Sequence, residues 1–447
     1  VQLPNNFKAK YQKLLGDDAE SFFASLDRET NPGFRINPLK EHMPAEPDNE
    51  SIEYCQYGYY GDVNGKSVEH QSGAIYSQEP SAMYVGEVAD IKPGDYVLDL
   101  CAAPGGKTTH VASYMDNQGL LVTNEIDHKR AKVLVENVER FGIRNALILN
   151  ENPNNLAKHF PRFFDKILID APCSGEGMFR KNNDAIQYWN ADYPSQCATR
   201  QKEIIEQAVK MLKPGGKIIY STCTFAPEED EEIVEWMKDT YDFSIDPIKK
   251  YDGMISGKPQ WADGNEELTN TVRLFPNHFK GEGHFVSKLS SNDEGNAKKI
   301  KHRLQSNLST DDKKLWNEFK EANLNRFDPK HLILFGDQLY TFDNTLPDLK
   351  GLKVMRPGLH LGTIKKKRFE PSYALALALH SDEVVNRLEI SEDDWKQYVH
   401  GDVINCDKDV KKGWYQLICK NQPVGFGKVV NGTIKNFFPK GLRFNVD

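Results

Sequence analysis

The sequence predicts an α/β chain built around an open parallel sheet with helices on both faces. Three observations predict it. Between about residues 73 and 290, short apolar runs alternate with stretches of helical spacing, the pattern of successive βαβ units. A small-residue, glycine-containing turn from Asp99 to Thr108 directly follows the first of those runs. Two cysteines, Cys173 and Cys223, each follow a later run. In an open α/β sheet, ligands and chemistry collect beyond the carboxyl ends of the strands.

The first seventy residues read as helical and then irregular. Phe22 to Leu26 forms a short apolar stripe, Gly33 to Lys40 alternates like a strand, and Glu41 to Glu50 is a polar linker. Tyr96 to Leu100 is the first strand of the parallel sheet, after the turn Lys92 to Asp95, and a helix begins at about Gly106. Leu120 to Glu125 is the second strand. His128 to Phe141 has helical spacing and stops at Gly142. Ala146 to Leu149 is the third strand and Lys166 to Asp170 the fourth. A helix from Ser195 to Leu212 is ended by Lys213-Pro214-Gly215-Gly216, and Lys217 to Ser221 is the fifth strand. Glu228 to Glu232 reads as the first turn of a helix, where the dipole favours negative charge. Ser290 to Ser309 is a polar, basic linker, and Asp311 to Leu379 a small mixed segment. Ser391 to Asp447 is a compact β-rich module punctuated by Gly413, Gly425, Gly427 and Gly432. No internal repeat is visible.

Bulk properties narrow the function. A chain of 447 residues accommodates about three domains. The longest purely apolar stretch, Ala374 to Leu379, is far short of the roughly 20 residues that span a membrane. The opening Val1 to Asn6, without an initiator Met, shows no basic-then-apolar signal pattern. Seven cysteines without a CxxC pair argue against a disulfide framework or a zinc site, and a reducing cytoplasm is the expected compartment. The net charge is −8, but it is unevenly placed. Lys350 to Glu370 holds seven basic residues against one acid, and Gly401 to Asp447 eight against four. A basic tail on an acidic body suits a polyanion held at one end, and equally a solvated surface.

The turn Cys101-Ala102-Ala103-Pro104-Gly105-Gly106-Lys107-Thr108 imitates a phosphate loop only at its end. The Walker pattern needs glycine where Cys101 stands, and the GxGxxG fingerprint is absent, so ATPase and dinucleotide readings fail. What remains is a turn whose backbone can approach a ligand closely, with helix amides able to face a carboxylate. Glu125, ending the second strand about twenty residues on, suits a ribose diol. Adenosine with an amino-acid tail in place of phosphates describes S-adenosylmethionine.

These residues resemble the NOL1/NOP2/Sun family of RNA 5-methylcytosine methyltransferases. Within it, the layout is similar to the bacterial small-subunit ribosomal RNA methyltransferase F type. The resemblance covers nearly the whole chain. It rests on Gly33 to Lys40, Tyr76 to Ser81, Cys101 to Lys107, Asp170-Ala171-Pro172-Cys173-Ser174-Gly175, Ser221-Thr222-Cys223-Thr224, Gly283-His284-Phe285 and Pro423 to Lys428. It implies a class I methyltransferase, Rossmann-like domain over residues 73–290. An N-terminal RNA-binding extension would occupy 1–72 and a linker 291–310. A small mixed α+β domain would fill 311–380 and a PUA-like RNA-binding domain 381–447. It implies that Cys101, Ala102, Ala103, Pro104, Gly105, Gly106, Lys107 and Glu125 hold S-adenosylmethionine. Asn152 stands at the aligned adenine-contacting position, and Asp170 lies near both the cofactor methyl and the target base.

The residue chemistry fits cytosine C5 methylation. C5 is a poor nucleophile until a thiolate adds at C6, after which C5 attacks the methyl sulfonium. The thiol needs a lowered pKa or a nearby base, and Asp170 is placed to hydrogen-bond the cytosine edge. DNA enzymes of this chemistry attack with the Pro-Cys, here Cys173, and the RNA family with the Thr-Cys, here Cys223. With both present and the RNA-family flanks intact, Cys223 is the expected nucleophile and Cys173 the helper in elimination. Lys107 is open to the cofactor, an RNA phosphate or the helix end, and Arg273 and His278 to pocket support or the RNA backbone. The expected substrate is small-subunit ribosomal RNA or the assembling 30S subunit, bound by a monomer, with no metal. The alternatives are a transfer RNA methyltransferase and a non-catalytic, RNA-binding assembly factor.

Overall fold

The computed structural model describes residues 1–44 and 46–447. Ala45, inside the linker expected at Glu41 to Glu50, lies outside the described residues.

Five parallel strands form the centre of a ten-stranded sheet: β1 (Tyr96–Asp99), β2 (Leu120–Asn124), β3 (Ala146–Leu149), β4 (Phe164–Asp170) and β5 (Leu212–Thr222). They run in the order β3-β2-β1-β4-β5, so the direction of winding reverses between β1 and β4. Beyond β5 come antiparallel strands: β6 (Phe243–Ile245), β7 (Ile255–Ser256), β8 (Val272–Leu274) and β9 (His284–Ser291). Of these, β9 pairs with β5 and carries both β8 and β6, and β7 is the outermost. The opposite edge is closed by β10 (Val354–Arg356), which pairs antiparallel with β3.

Alternation along each strand sends side chains to two separate cores. Leu98, Val122, Ile167, Ile169 and Ile218 pack on one face, and Val97, Leu121, Leu168 and Ile219 on the other. Helix α1 (Asn5–Leu15) belongs to the N-terminal extension. Helices α2 (Pro80–Val88), α3 (Gly106–Ala112) and α4 (His128–Phe141) cover the second face, through Met83, Val111 and Leu134 among others. Helices α5 (Tyr193–Met211) and α6 (Glu231–Tyr241) cover the first through Ile205 and Met237. Helix α4 has the bounds read from its spacing: Asp127 caps its start by accepting from Arg130 N, and Gly142 ends it in the left-handed region at φ 78°.

Two sequence expectations differ from the structure. The segment Lys213 to Gly216 does not separate α5 from the fifth strand; β5 starts at Leu212 and runs through it. The register jumps from Phe164↔Leu212 to Lys166↔Lys217, so these residues bulge from the ladder, and Gly215 at φ 72° permits the turn. The acidic run is a first helical turn only in part: Glu231 and Glu232 open α6, and Glu228 to Asp230 precede it. Glu229, Asp230 and Glu231 are buried against specific partners.

The N-terminal extension is more ordered than its sequence suggests. A three-stranded sheet pairs Gly33–Ile36 with Gly58–Tyr60 and Ile75–Ser77. Phe7, Tyr11 and Phe22 pack against Phe179, Trp189 and Phe225 of the central domain. Arg35, 1% exposed, hydrogen-bonds Gln78, the Gly106 carbonyl (2.9 Å) and Thr109 (2.7 Å) beneath the Tyr76 ring. Cys55, Glu87 and His110 also meet at this joint. His110 Nε2 lies 3.0 Å from Glu87 and 3.7 Å from Cys55 Sγ, and Tyr114 donates to the same carboxylate.

The C-terminal part holds a helix at Thr310–Asn323, a four-stranded antiparallel sheet and a helix at Tyr373–Ala378. A five-stranded sheet with the helix Glu392–His400 follows. Arg144 grips Glu383 with two nitrogens, tying this part to the centre, and Lys40 donates to the Leu377 carbonyl at 2.8 Å, tying it to the N-terminal extension. Among the described residues, no helix is long and apolar enough to cross a membrane.

Candidate active site

A cleft of about 770 Å³ opens over the carboxyl ends of β1, β2, β4 and β5, at the point where the strand order reverses. Cys101, Ala103, Glu125, Asn152, Asp170, Cys173 and Cys223 line it. The rest of the predicted turn stands behind this wall. The Ala102 amide donates to the Asn124 carbonyl, Gly105 sits at φ 121°, and the Gly106 carbonyl accepts from Arg35.

Glu125 is 4% exposed and held by main chain on both oxygens, from Ala103 N at 3.3 Å and Asp127 N at 2.9 Å. Arg130 stands 3.7 Å away and anchors the Ala103 carbonyl at 2.8 Å. Asn152 caps the short helix Pro153–His159 by accepting from Asn155 N at 2.8 Å. That use of Oδ1 leaves its amide nitrogen for a ligand. Sequence reasoning missed Ile126, Arg130 and Arg200 in the lining. Ile126 is 65% exposed at the rim; an apolar side chain directly after the strand-end acid, outside any core periodicity, was the available signal.

Lys107 Nζ lies 2.8 Å from Asp170 Oδ2, and Ser221 Oγ donates to Oδ1 at 3.1 Å. Burial pushes the Asp170 carboxyl up, but Lys107, His284 and these hydrogen bonds outweigh it and hold the group below its ordinary value. Burial likewise works against the Lys107 ammonium, and Asp170 more than restores it, so Lys107 is held above its usual value. The pair is charged, partly shielded and adjacent to the cysteines.

The two cysteine sulfurs are 3.3 Å apart. The hydrogen bond with Cys223 and then burial push the Cys173 thiol well up, with the charges of Cys223 and Glu229 adding to it. Ser174 Oγ and Thr224 Oγ1, 2.8 Å apart, link the two cysteine loops. Arg273 and His278 lie elsewhere: Arg273 is buried against Glu231 and the Trp261 ring, and the exposed His278 pairs with Asp18 at 2.6 Å.

A nucleoside with a short charged tail fits this cleft. A buried acceptor stands at Glu125, apolar surface at Ile126 and Pro153, a close main-chain turn at Cys101 to Ala103, and the volume lies within the roughly 300–1,000 Å³ usual for such ligands.

The winding order, the antiparallel strand beside β5 and the cleft at the switch point define a methyltransferase of the Rossmann-like class. The family model for the 16S rRNA methyltransferase RsmB/F matches residues 87–290, and that for the N-terminal domain of 16S rRNA methyltransferase RsmF matches 3–80. The RsmF first C-terminal domain matches 318–379 and the RsmF PUA domain 385–444. Ribosomal RNA small subunit methyltransferase F of Vibrio campbellii is 30% identical over 99% of this chain and 98% of its own. The Shewanella oneidensis protein of the same name is 30% identical over 99% and 97%. The chain belongs to this ribosomal RNA small-subunit methyltransferase F family, whose methyl donor is S-adenosylmethionine. Among solved structures, a methyltransferase homolog from Pyrococcus horikoshii is 28% identical with a TM-score of 0.55, over 64% of this chain and 94% of that one. NSun6 from the same organism, solved with SFG, is 19% identical with a TM-score of 0.54 over 65% and 99%, and shares the fold.

Proposed function

We propose that this protein methylates C5 of a cytosine in small-subunit ribosomal RNA through a covalent adduct between Cys223 and C6. The observation that carries the reading is the pair of sulfurs 3.3 Å apart beside the Lys107–Asp170 ion pair. S-adenosylmethionine, when bound, supplies an electrophilic methyl. Cys101, Ala103 and Glu125 would hold it, with Ile126 and Asn152 at the base end.

The cysteines divide the work by sharing a proton. Cys173, its thiol pushed well up, keeps its proton and donates toward Cys223, which loses its own proton to solvent and attacks with the Lys107 cation nearby. The thiolate adds to C6, and Asp170 and Lys107 steady the polar edge of the ring, so that electron density reaches C5. Once Cys223 is bonded to carbon it carries no charge. The first cause raising Cys173 is then gone, so Cys173 releases its own proton to solvent, and the resulting thiolate takes up the C5 proton after methylation. The C5–H electrons re-form the C5=C6 bond and the C6–S bond breaks, returning the thiolate to Cys223. The base reaches this cleft from a single-stranded or flipped-out position.

Cys223→Ala is expected to abolish both methylation and covalent RNA capture. Cys173→Ala is expected to trap protein on RNA, seen as a shifted band on a denaturing gel. Capture by Cys223→Ala but not by Cys173→Ala would reverse the roles. Bisulfite sequencing of ribosomal and transfer RNA with and without the gene tests the substrate.

A further inference from the structure

The acidic run Glu228 to Glu232 takes no part in the steps above, yet Glu229, Asp230 and Glu231 are all 0% exposed. Carboxylates are buried this deeply only against partners. Those of Glu229 are the neighbours of Cys173. Ser174 N donates to Oε1 at 2.8 Å and the Ser174 hydroxyl donates to Oε2. Gln201 Nε2, on α5, donates to the same Oε1 and to the Pro172 carbonyl, both at 3.0 Å. The residues on either side of Cys173 are therefore fastened to one carboxylate and one amide.

Cys223 shares one link to this network, through the Thr224 hydroxyl on Ser174 Oγ and Glu229, but its main anchor is its strand. It follows β5, whose last residues pair with β9 through Ser221↔Val286 and Thr222↔Phe285, and the Thr222 hydroxyl is held by Asp230. Removing Glu229 would free the loop carrying Cys173 and leave the strand end carrying Cys223 in its ladder.

We propose that Glu229 is the positioning residue for Cys173, holding its sulfur against Cys223 through Ser174 and Gln201 and so governing release of the methylated base rather than attack. This rests on the roles given above to the two cysteines. Position, not charge, is the working feature, because a glutamine at 229 can still accept from Ser174 N and Gln201 with its oxygen while its amide donates to Ser174 Oγ.

The test uses the full chain, unmethylated 30S subunits and methyl-labelled S-adenosylmethionine. Covalent protein–RNA adduct, first-turnover methyl transfer and multiple turnover are read for Glu229→Ala, Glu229→Gln and Cys173→Ala. Glu229→Ala should keep the first turnover, accumulate adduct as Cys173→Ala does, and lose about 10²-fold in multiple turnover, the order expected for a misplacement of ~1 Å. Glu229→Gln should rescue most of that loss. Normal adduct levels in Glu229→Ala, or equal defects in the alanine and glutamine variants, would overturn the proposal while adduct in Cys173→Ala upholds the cysteine roles. No adduct in Cys173→Ala would sink those roles and this inference with them. Should Glu229→Ala fail to melt cooperatively, Ser174→Ala carries the test, since it cuts the hydroxyl links and keeps the amide. Adduct above the unmodified protein's level supports the proposal, and an unchanged level overturns it.

Discussion

Glu125 meets the cleft with both oxygens already committed to main chain. It needs no reorganisation to accept from a diol, so losing it should remove charge-assisted hydrogen bonds outright. Glu125→Ala is expected to weaken S-adenosylmethionine binding by about 1.5–3 kcal/mol, roughly 10- to 150-fold in Kd, measured by titration calorimetry. In the proposed reaction Lys107 acts through charge. Lys107→Met keeps the length, removes the ion pair and lets burial push Asp170 back up. Turnover is expected to fall by about 10²-fold, the order for one lost stabilising group, with Kd for S-adenosylmethionine changed little. Residues carrying group chemistry at strand ends were readable in the sequence: Cys173, Cys223, Asp170 and Glu125 all stand in the cleft wall. The sulfur-to-sulfur contact was not, because it depends on a hydroxyl-to-hydroxyl link between loops fifty residues apart.

Elements were readable where periodicity and punctuation agreed, as in α4 with Asp127 before it and Gly142 after. They were misread where punctuation stood inside a strand. Pro214 and Gly215 do follow the helix end at Met211, but the bulge they form keeps β5 in its ladder, so the strand starts earlier than read. The acidic run was legible as the start of a helix at Glu231 and Glu232, but not in its burial, because single-residue charge says nothing about a partner such as Arg273, forty-two positions away. Helix α1 offers a test at this scale. Tyr11 Oη donates to both oxygens of the fully buried Glu176, at 2.6 and 2.9 Å, and burial pushes that carboxyl from 4.5 up to about 8. A carboxyl raised on folding contributes its full stability below pH 4.5 and loses it as pH rises through 8. Glu176→Gln lacks this titration. The native chain should therefore lose stability relative to the variant between pH 4.5 and 8, on the order of 1 kcal/mol per pH unit, with no further change above it. Melting both proteins at pH 6 and pH 8 checks the sign.

At the scale of the molecule, the chain ends reach back into the centre. Arg35 of the N-terminal extension holds the carbonyl of Gly106, and β10 from beyond the linker seals the edge of β3. An exposed strand edge invites pairing with other chains. A chain stopped after residue 350 leaves that edge open, and is expected to elute as aggregate on size exclusion where the full chain does not. No sequence pattern near Val354 to Arg356 marks this pairing; three residues of a basic stretch carry too little periodicity to show a strand.

Because β10 is woven into the catalytic sheet while the chain beyond it continues into the RNA-binding PUA domain, the two ends of the molecule are not beads on a string. β-ladder geometry and clamps such as Arg144 on Glu383 tie the appendage to the sheet that carries the cleft. The protein is then expected to act as a gauge, which binding measured against RNAs of varied spacing checks. An RNA whose gripped surface and extruded base are spaced to match it would engage both ends at once, and one with the same local sequence at another spacing would engage only one.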